Sequence, residues 1–334
     1  METTLPTDRR VAGSAAAPGA PRQQRLSLDA VMGRVALLVL LVAAASALQP
    51  AFATAENART VLLAVATVGV MALGMTLVLL AGELDLSIGG VAVISGVVGG
   101  MLLRSGSVAL VVAGVLATGV VCGLVNGLLV TRLRVPSLIV TLGMLGVLRA
   151  LANILSGGQA IYPEGIAGYL WFGRGAVLGV PVPVWVFSIA AAAAVVLTRH
   201  ARFGRALYAV GGNATAAGLS GIRVDRVRLL VFAASGLAAA LAGLLETARL
   251  AYIGPAGFTG IELSVIAVAT LGGVSLAGGR GTIEGTLLAA LIIGVVNNAL
   301  NIAGVSSYVQ QIVTAAVILV VVLPDSLQRR EREA

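Results

Sequence analysis

Two carboxylates, Glu83 and Asp85, stand two residues apart in the segment GELDLSIGG at 82–90, with Ser87 next on the same alternation and glycines at both ends. Acids between apolar runs hold protons, pair with cations or meet a polar solute. At membrane depth they face a protein interior or a water-filled cavity. Glycines permit irregular backbone, which lipid tolerates only where it lines such a cavity. The plainer reading is a short turn in which Asp85 caps the next helix, and the two readings are compatible. A second Glu-Leu patch, GIELSVI at 260–266, carries Glu262. Asn297, Asn298 and Asn301 form a polar stripe in an apolar run. Spacings of three and four put them on one helix face, suited to interhelical hydrogen bonds or to recognition of a hydroxyl-rich solute. Asn126 is open to the same two readings.

Other chemistries lack their residues. Cys122 is the one cysteine and His200 the one histidine, so an intramolecular disulfide, a cysteine zinc cluster and a histidine metal site are all unsupported. No catalytic set and no metal ligand set is assigned. The run GGVSLAGGRGTIEG at 272–285 is glycine-rich, but a phosphate cradle of the Walker type needs a lysine and a preceding soluble strand. All 22 basic residues are arginine. Arg280 and Glu284, four apart, are expected to pair on one helix face.

The elements that position these groups follow from composition. The chain of 334 residues is 58% hydrophobic and 11% charged, against about 25% charged in soluble domains. Its mean hydropathy is +1.03. A bilayer core of about 30 Å needs roughly 20 apolar residues in a helix, and continuous runs, unlike the short alternating segments of β-barrels, recur along the chain. The expected fold is all-α: a polytopic transmembrane helix bundle of about ten spans. The spans are placed near 35–55, 60–81, 87–103, 108–130, 137–157, 181–198, 229–250, 262–276, 282–302 and 306–324. The third and eighth are short and glycine-rich. The two Glu-Leu patches recur about five spans apart, the pattern of an inverted repeat of two five-helix halves, and broken helices at matching positions mark a translocation site.

Residues 1–34 read as a disordered cytoplasmic tail, residues 35–324 as the membrane domain and residues 325–334 as a second cytoplasmic tail. The run after Val35 resembles a signal-peptide core, with Ala51-Phe52-Ala53 like a cleavage site. The charged tail before it and the spans after it favour an uncleaved first helix. Arginines crowd the segments 131–136, 199–228 and 325–334, which places these inside, with both termini cytoplasmic. That bias also accounts for the net charge of +8, and without stacking platforms nucleic acid is not an expected partner.

The loop at 199–228 is far longer than a turn between two helices requires. Asn213 is expected to cap a short helix over 214–219, ended by Gly221. Such a helix suits docking in a groove on another protein. The alternative is an anchor for anionic lipid headgroups.

From about Ala58 to Pro324 the chain resembles the ribose/xylose/galactose-type permease family of bacterial ABC importers. The resemblance is carried by GELDLSIGG at 82–90, VNGLLVTRLRVPSLIVTLG at 125–143, SGGQAI at 156–161, RFGRALYAVGGNATAAGLSGIRVDRVRL at 202–229 and IELSVIAVATLGGVSLAGGRGTIEGTLLAALIIGVVNNAL at 261–300. It implies a plasma-membrane (inner-membrane) translocator of monosaccharides that works with a second permease copy. It also implies an ATPase with two nucleotide-binding cassettes and an extracytoplasmic sugar-binding protein. ATP and Mg would bind the ATPase, so this chain would hold no cofactor and catalyse no reaction. Gly211, Gly212, Asn213, Ala216, Ala217, Ser220 and Gly221 would then belong to the coupling loop that meets the ATPase. Glu83, Asp85, Ser87, Asn126, Glu262, Asn297, Asn298 and Asn301 would lie near the pathway. Ser264 and Ala299 depart from the family pattern beside that pathway. Alternatives are an ion-coupled transporter with Glu83, Asp85 and Glu262 as proton sites, or an ABC permease for nucleosides, branched-chain amino acids or other small solutes.

Overall fold

A computed structural model describes residues 28–163, 167–306, 308–313 and 315–316. The long helices are α1 (Leu28–Leu48), α2 (Ala55–Leu80), α3 (Ile88–Leu102), α4 (Val108–Arg132) and α5 (Ser137–Ser156). After α6 (Ala167–Arg174) and a two-residue β-hairpin come α7 (Val182–Arg199), α8 (Arg202–Gly212), α9 (Ala214–Leu219), α10 (Val224–Leu250), α11 (Ile261–Leu271) and α12 (Ile283–Ile302). Among the described residues eight helices are long and apolar enough to cross a membrane. The expected tenth span is helical over 308–313 and 315–316; its residues 307, 314 and 317–324, the residues before 28 and those after 324 lie outside the described residues.

Starts of helices follow local chemistry. Thr54, Ser107, Asn213 and Thr282 each accept a backbone N–H from their own first turn, satisfying a donor the helix leaves orphaned. Two expected boundaries shift. The first helix begins at Leu28 and includes Arg34, which had been placed in the tail. Arg34 Nε donates to Leu271 O at the C-terminus of α11, 3.2 Å away, where the helix dipole favours a cation. The expected eighth span ends early. α11 has 11 residues, about 16 Å at 1.5 Å per residue, half a bilayer core. Gly273, Gly278, Gly279 and Gly281 after it all take positive φ, which ends the helix at little steric cost.

The centre of the bundle is α10, packed on α4, α2 and α3. α2, α3 and α10 are mostly buried, whereas α1, α4, α5 and α7 present long outward faces. The tightest crossing is α4 on α10. A Cβ on Gly119 or Gly123 would run into the backbone of Gly236 or Phe232, and one on Gly236 into Gly119 O. Without a hydrophobic force between helices in lipid, such close backbone approach supplies the packing attraction.

One end of the bundle carries the α8–α9 connector. There the end of α2, the start of α10 and the loop 272–282 meet it: Gly279 N donates to Leu80 O, and a Cβ on Gly211 would strike that same oxygen. At the opposite end Asn298 Nδ2 donates to Asn57 Oδ1, 2.9 Å away. Arg34 places the start of α1 at the connector end.

A Gly236→Leu substitution is expected to force α4 off α10 and destabilise the fold by roughly 1–3 kcal/mol or more, whereas Gly33→Leu, where nothing lies within 4 Å of a new Cβ, is expected to be neutral. Thermal unfolding in detergent followed by size-exclusion fluorescence measures both; equal midpoints would refute the crossing as a close contact.

Candidate functional site

Three of the expected residues meet in one buried knot. α2 ends at Leu80, and residues 81–87 bring the chain to α3, which starts level with the second turn of α5. Asp85 is 1% exposed. Its Oδ1 accepts from Ser87 N at 3.0 Å and Ser87 Oγ at 2.6 Å, and its Oδ2 accepts from Ser235 Oγ of α10 at 2.6 Å. Asn126 Nδ2 of α4 donates to Ser87 Oγ at 2.7 Å. Every proton in the chain therefore points toward the carboxylate, which sits at the N-terminus of α3, where a helix favours negative charge. Asn126 Oδ1 is buried without a hydrogen bond among the described residues. In this conformation the knot is closed to solvent.

The other carboxylates pair with arginine. Glu83 Oε1 lies 2.7 Å from Arg228 Nε at the start of the second turn of α10. Glu262, in the first turn of α11, has Oε2 3.8 Å from Arg149 of α5, and both are partly exposed. The first turns of the two short helices face each other, since a Cβ on Gly89 would come within 2.9 Å of Glu262 Oε2 and 3.0 Å of Ile261 Cγ2. Asn298 makes the interhelical bond to Asn57. Asn297 is half-buried and Asn301 exposed near the same end of α12. The expected pathway residues thus form four separate groups rather than one.

Sequence reasoning missed Ser235, Arg228, Arg149 and the pair Glu246–Arg249, which Thr67 joins by donating to Glu246 Oε2 at 3.2 Å. Arg149, Glu246 and Arg249 occur within or at the end of apolar runs, the signal that finds intramembrane polar sites, though the partner of each is set by tertiary contact. Thr67, Glu246 and Arg249 line a cavity of about 290 Å³ with Tyr252, Phe258 and the irregular segment after α10.

The connector holds two helices. α9 spans Ala214–Leu219 as expected, capped by Asn213 Oδ1 on Ala216 N at 2.9 Å and ended at Gly221 with φ of 83°. Ala217 turns inward, whereas Gly212, Ala216, Gly218, Leu219 and Ser220 are exposed. Ser220 Oγ donates to Ala216 O. α8 was not expected, although Phe203, Leu207 and Val210 recur at helical spacing. Tyr208 of α8 donates to Gly281 O at 2.9 Å. Burial, reinforced by the Glu284 carboxylate and opposed by Arg199, raises its pKa, so the phenol stays a donor at neutral pH. The expected Arg280–Glu284 pair is not formed. Arg280 precedes the Thr282 cap and is not on the helix, and Glu284 instead lies 2.7 Å from Arg199 at the end of α7.

A family profile described as branched-chain amino acid transport system permease component matches residues 57–322. The chain is 45% identical over 296 residues to the ribose import permease protein RbsC of Escherichia coli K12, covering 87% of this chain and 92% of that one. It is 41% identical over 308 residues to the ribose import permease protein RbsC of Bacillus subtilis, covering 91% and 96%. It is 39% identical over 305 residues to the L-arabinose ABC transporter permease protein AraH of Azospirillum brasilense, covering 90% and 89%. No solved structure matches.

Ser235→Ala leaves one oxygen of a buried carboxylate without its donor, a loss of about 1–3 kcal/mol. The expected result is a lowered unfolding midpoint with Ser235→Thr closer to wild type; a Ser235→Ala midpoint equal to wild type would show that the knot does not stabilise the bundle.

Proposed function

The chain belongs to the permease family matched by that profile, and from this premise we propose that it is the membrane-spanning subunit of an ATP-driven importer of a monosaccharide of the ribose and arabinose type. The likeness to ribose permeases along nearly the whole chain carries this reading. A cytoplasmic ATPase with two nucleotide-binding cassettes binds ATP and Mg, an extracytoplasmic protein delivers the sugar, and two permease copies enclose the pathway. Both termini and the α8–α9 connector are cytoplasmic, a reading supported by the arginine distribution and by the shared end of Arg34 and the connector.

The pathway runs along the open face of α5. Arg149 lies twelve residues into α5, about 18 Å from its start. A loosely paired, partly exposed Arg149–Glu262 couple at that depth is costly unless it looks into water. Gly143, Gly146 and Asn153 are exposed on α5, and we assign this side to the second copy. Glu262 and Arg149 offer the polar groups a sugar meets, whereas Asn297 and Asn301 stand apart on α12. Asp85, Ser87 and Asn126 hold α3 in register beside it, and Asn298 ties α12 to α2.

α9 is the docking element. Its exposed side, from Ala216 to Ser220, ends in Leu219, which is 88% exposed. Two copies of a small-residue helix fit two grooves on the ATPase, and docking moves α10 through the short link at 220–223. Gly218 has room for a side chain, its Cβ meeting only Val224 Cγ2 at 3.9 Å.

Replacing Ala216 and Gly218 together by glutamate is expected to lower ATP-driven ribose uptake by about tenfold or more without altering the unfolding midpoint. The measurement is uptake into proteoliposomes holding the permease, its ATPase and its binding protein. Unchanged uptake removes α9 from the docking role, and uptake driven by a proton gradient without ATP overturns the importer reading itself.

A further inference from the structure

We propose that residues 82–87 are the mechanical link that carries movement of the connector to α5, with Glu83–Arg228 as the grip at its connector end. The proposal rests on the permease reading and adds the route by which docking reaches the pathway.

The segment is fastened on two sides. Glu83 and Asp85, two apart, both reach α10. Their partners Arg228 and Ser235 are seven apart and so share one face of that helix. Glu83 Oε1 meets Arg228 Nε at 2.7 Å, and Asp85 Oδ2 accepts from Ser235 Oγ at 2.6 Å. The backbone N–H groups of the intervening residues go the other way. Leu84 N donates to Ser137 Oγ at 3.2 Å and Leu86 N to Thr141 Oγ1 at 3.0 Å. Ser137 and Thr141 are four apart, one above the other in the first two turns of α5. Side chains hold α10 while backbone holds α5.

No comparable bond joins the two helices directly. α5 packs on α3 and, less, on α4, and the principal contacts of α10 are with α4, α2, α3 and α6. The segment is therefore the polar bridge between the helix that follows the connector and the helix whose open face carries Arg149. Arg228 is the fifth residue of α10, one turn beyond the link from α9, close to where displacement of α9 arrives. The Glu83–Arg228 contact is one of charge, since Arg228 Nε makes no aligned hydrogen bond. Attraction of that kind survives a shift of an ångström, so the grip holds while the connector moves.

The test uses the complete importer in proteoliposomes and reads ribose transported per ATP hydrolysed, at saturating binding protein. Glu83→Gln and Arg228→Gln are each expected to lower this ratio by about tenfold with the KM for loaded binding protein unchanged. The exchange Glu83→Arg with Arg228→Glu is expected to restore it to within roughly threefold of wild type. The second variant, Ser137→Ala with Thr141→Ala, removes the α5 fastening without touching a charge and is expected to lower the ratio by roughly threefold or more. An undiminished ratio in Glu83→Gln, or in the Ser137/Thr141 pair where Glu83→Gln does not assemble, overturns the link. So does a raised KM with the ratio intact, which would make Glu83 a solute contact. A wild-type complex that moves no ribose with ATP defeats the permease reading instead, so the two failures are told apart.

Discussion

A helix that begins inside lipid leaves about four N–H groups without intrahelical partners, and no water reaches them there. α3 and α11 begin against each other within the bundle, and much of the architecture answers the same demand. At α3 the answer is the Asp85 carboxylate, which takes the Ser87 N–H and two hydroxyls while Asn126 steadies Ser87. That single knot draws together the segment after α2, α3, α4 and α10. At α11 the entry is a glycine at φ of 76° with no side-chain cap, and Glu262 supplies negative charge to the first turn beside Arg149. The first start is sealed and the second partly open, which is why the solute is assigned to the second.

α10 then becomes the axis along which these answers are distributed. Its 27 residues extend about 40 Å, longer than the roughly 30 Å core of a bilayer. Arg228 and Ser235 grip the segment after α2, Gly236 seats α4, and Glu246 with Arg249 lines the cavity near the other end. All of these contacts sit on one continuous helix whose crossing with α4 is backbone on backbone.

The helical class, eight of the expected spans and the α9 cap were legible because hydropathy and capping are local properties. Asn213 and Gly221 announce a helix of six residues without any knowledge of its neighbours. What the sequence hid was partnership. Arg280 lies at helical spacing from Glu284, yet the cap at Thr282 falls between them, so Arg199 takes the carboxylate from across the fold. Asp85, Ser87 and Asn126 were each visible as polar residues in apolar runs. Their convergence depends on Ser235, an unremarked serine in an ordinary-looking helix. α8 was passed over because its apolar positions are separated by arginines that read as loop, although their spacing was helical. The short α11 was visible only as a weak span, because eleven mostly apolar residues followed by glycines mimic a longer one.

The two kinds of polar contact divide the molecule mechanically. Four glutamates, Glu83, Glu246, Glu262 and Glu284, pair with arginine, whereas Asp85 is satisfied by hydroxyls and an amide N–H alone. Hydrogen bonds weaken steeply as angle and distance change, but a charge pair loses attraction only as the inverse of separation. Ion pairs therefore yield, and a directional hydroxyl knot does not. The pairs at Arg228 and Arg199 lie at the connector end, and the one at Arg149 lies beside the open face of α5. The knot lies between them, at the start of α3. In the link we propose, this rigid pivot with compliant contacts on either side carries movement of the connector to α5 rather than letting it dissipate in the packing between.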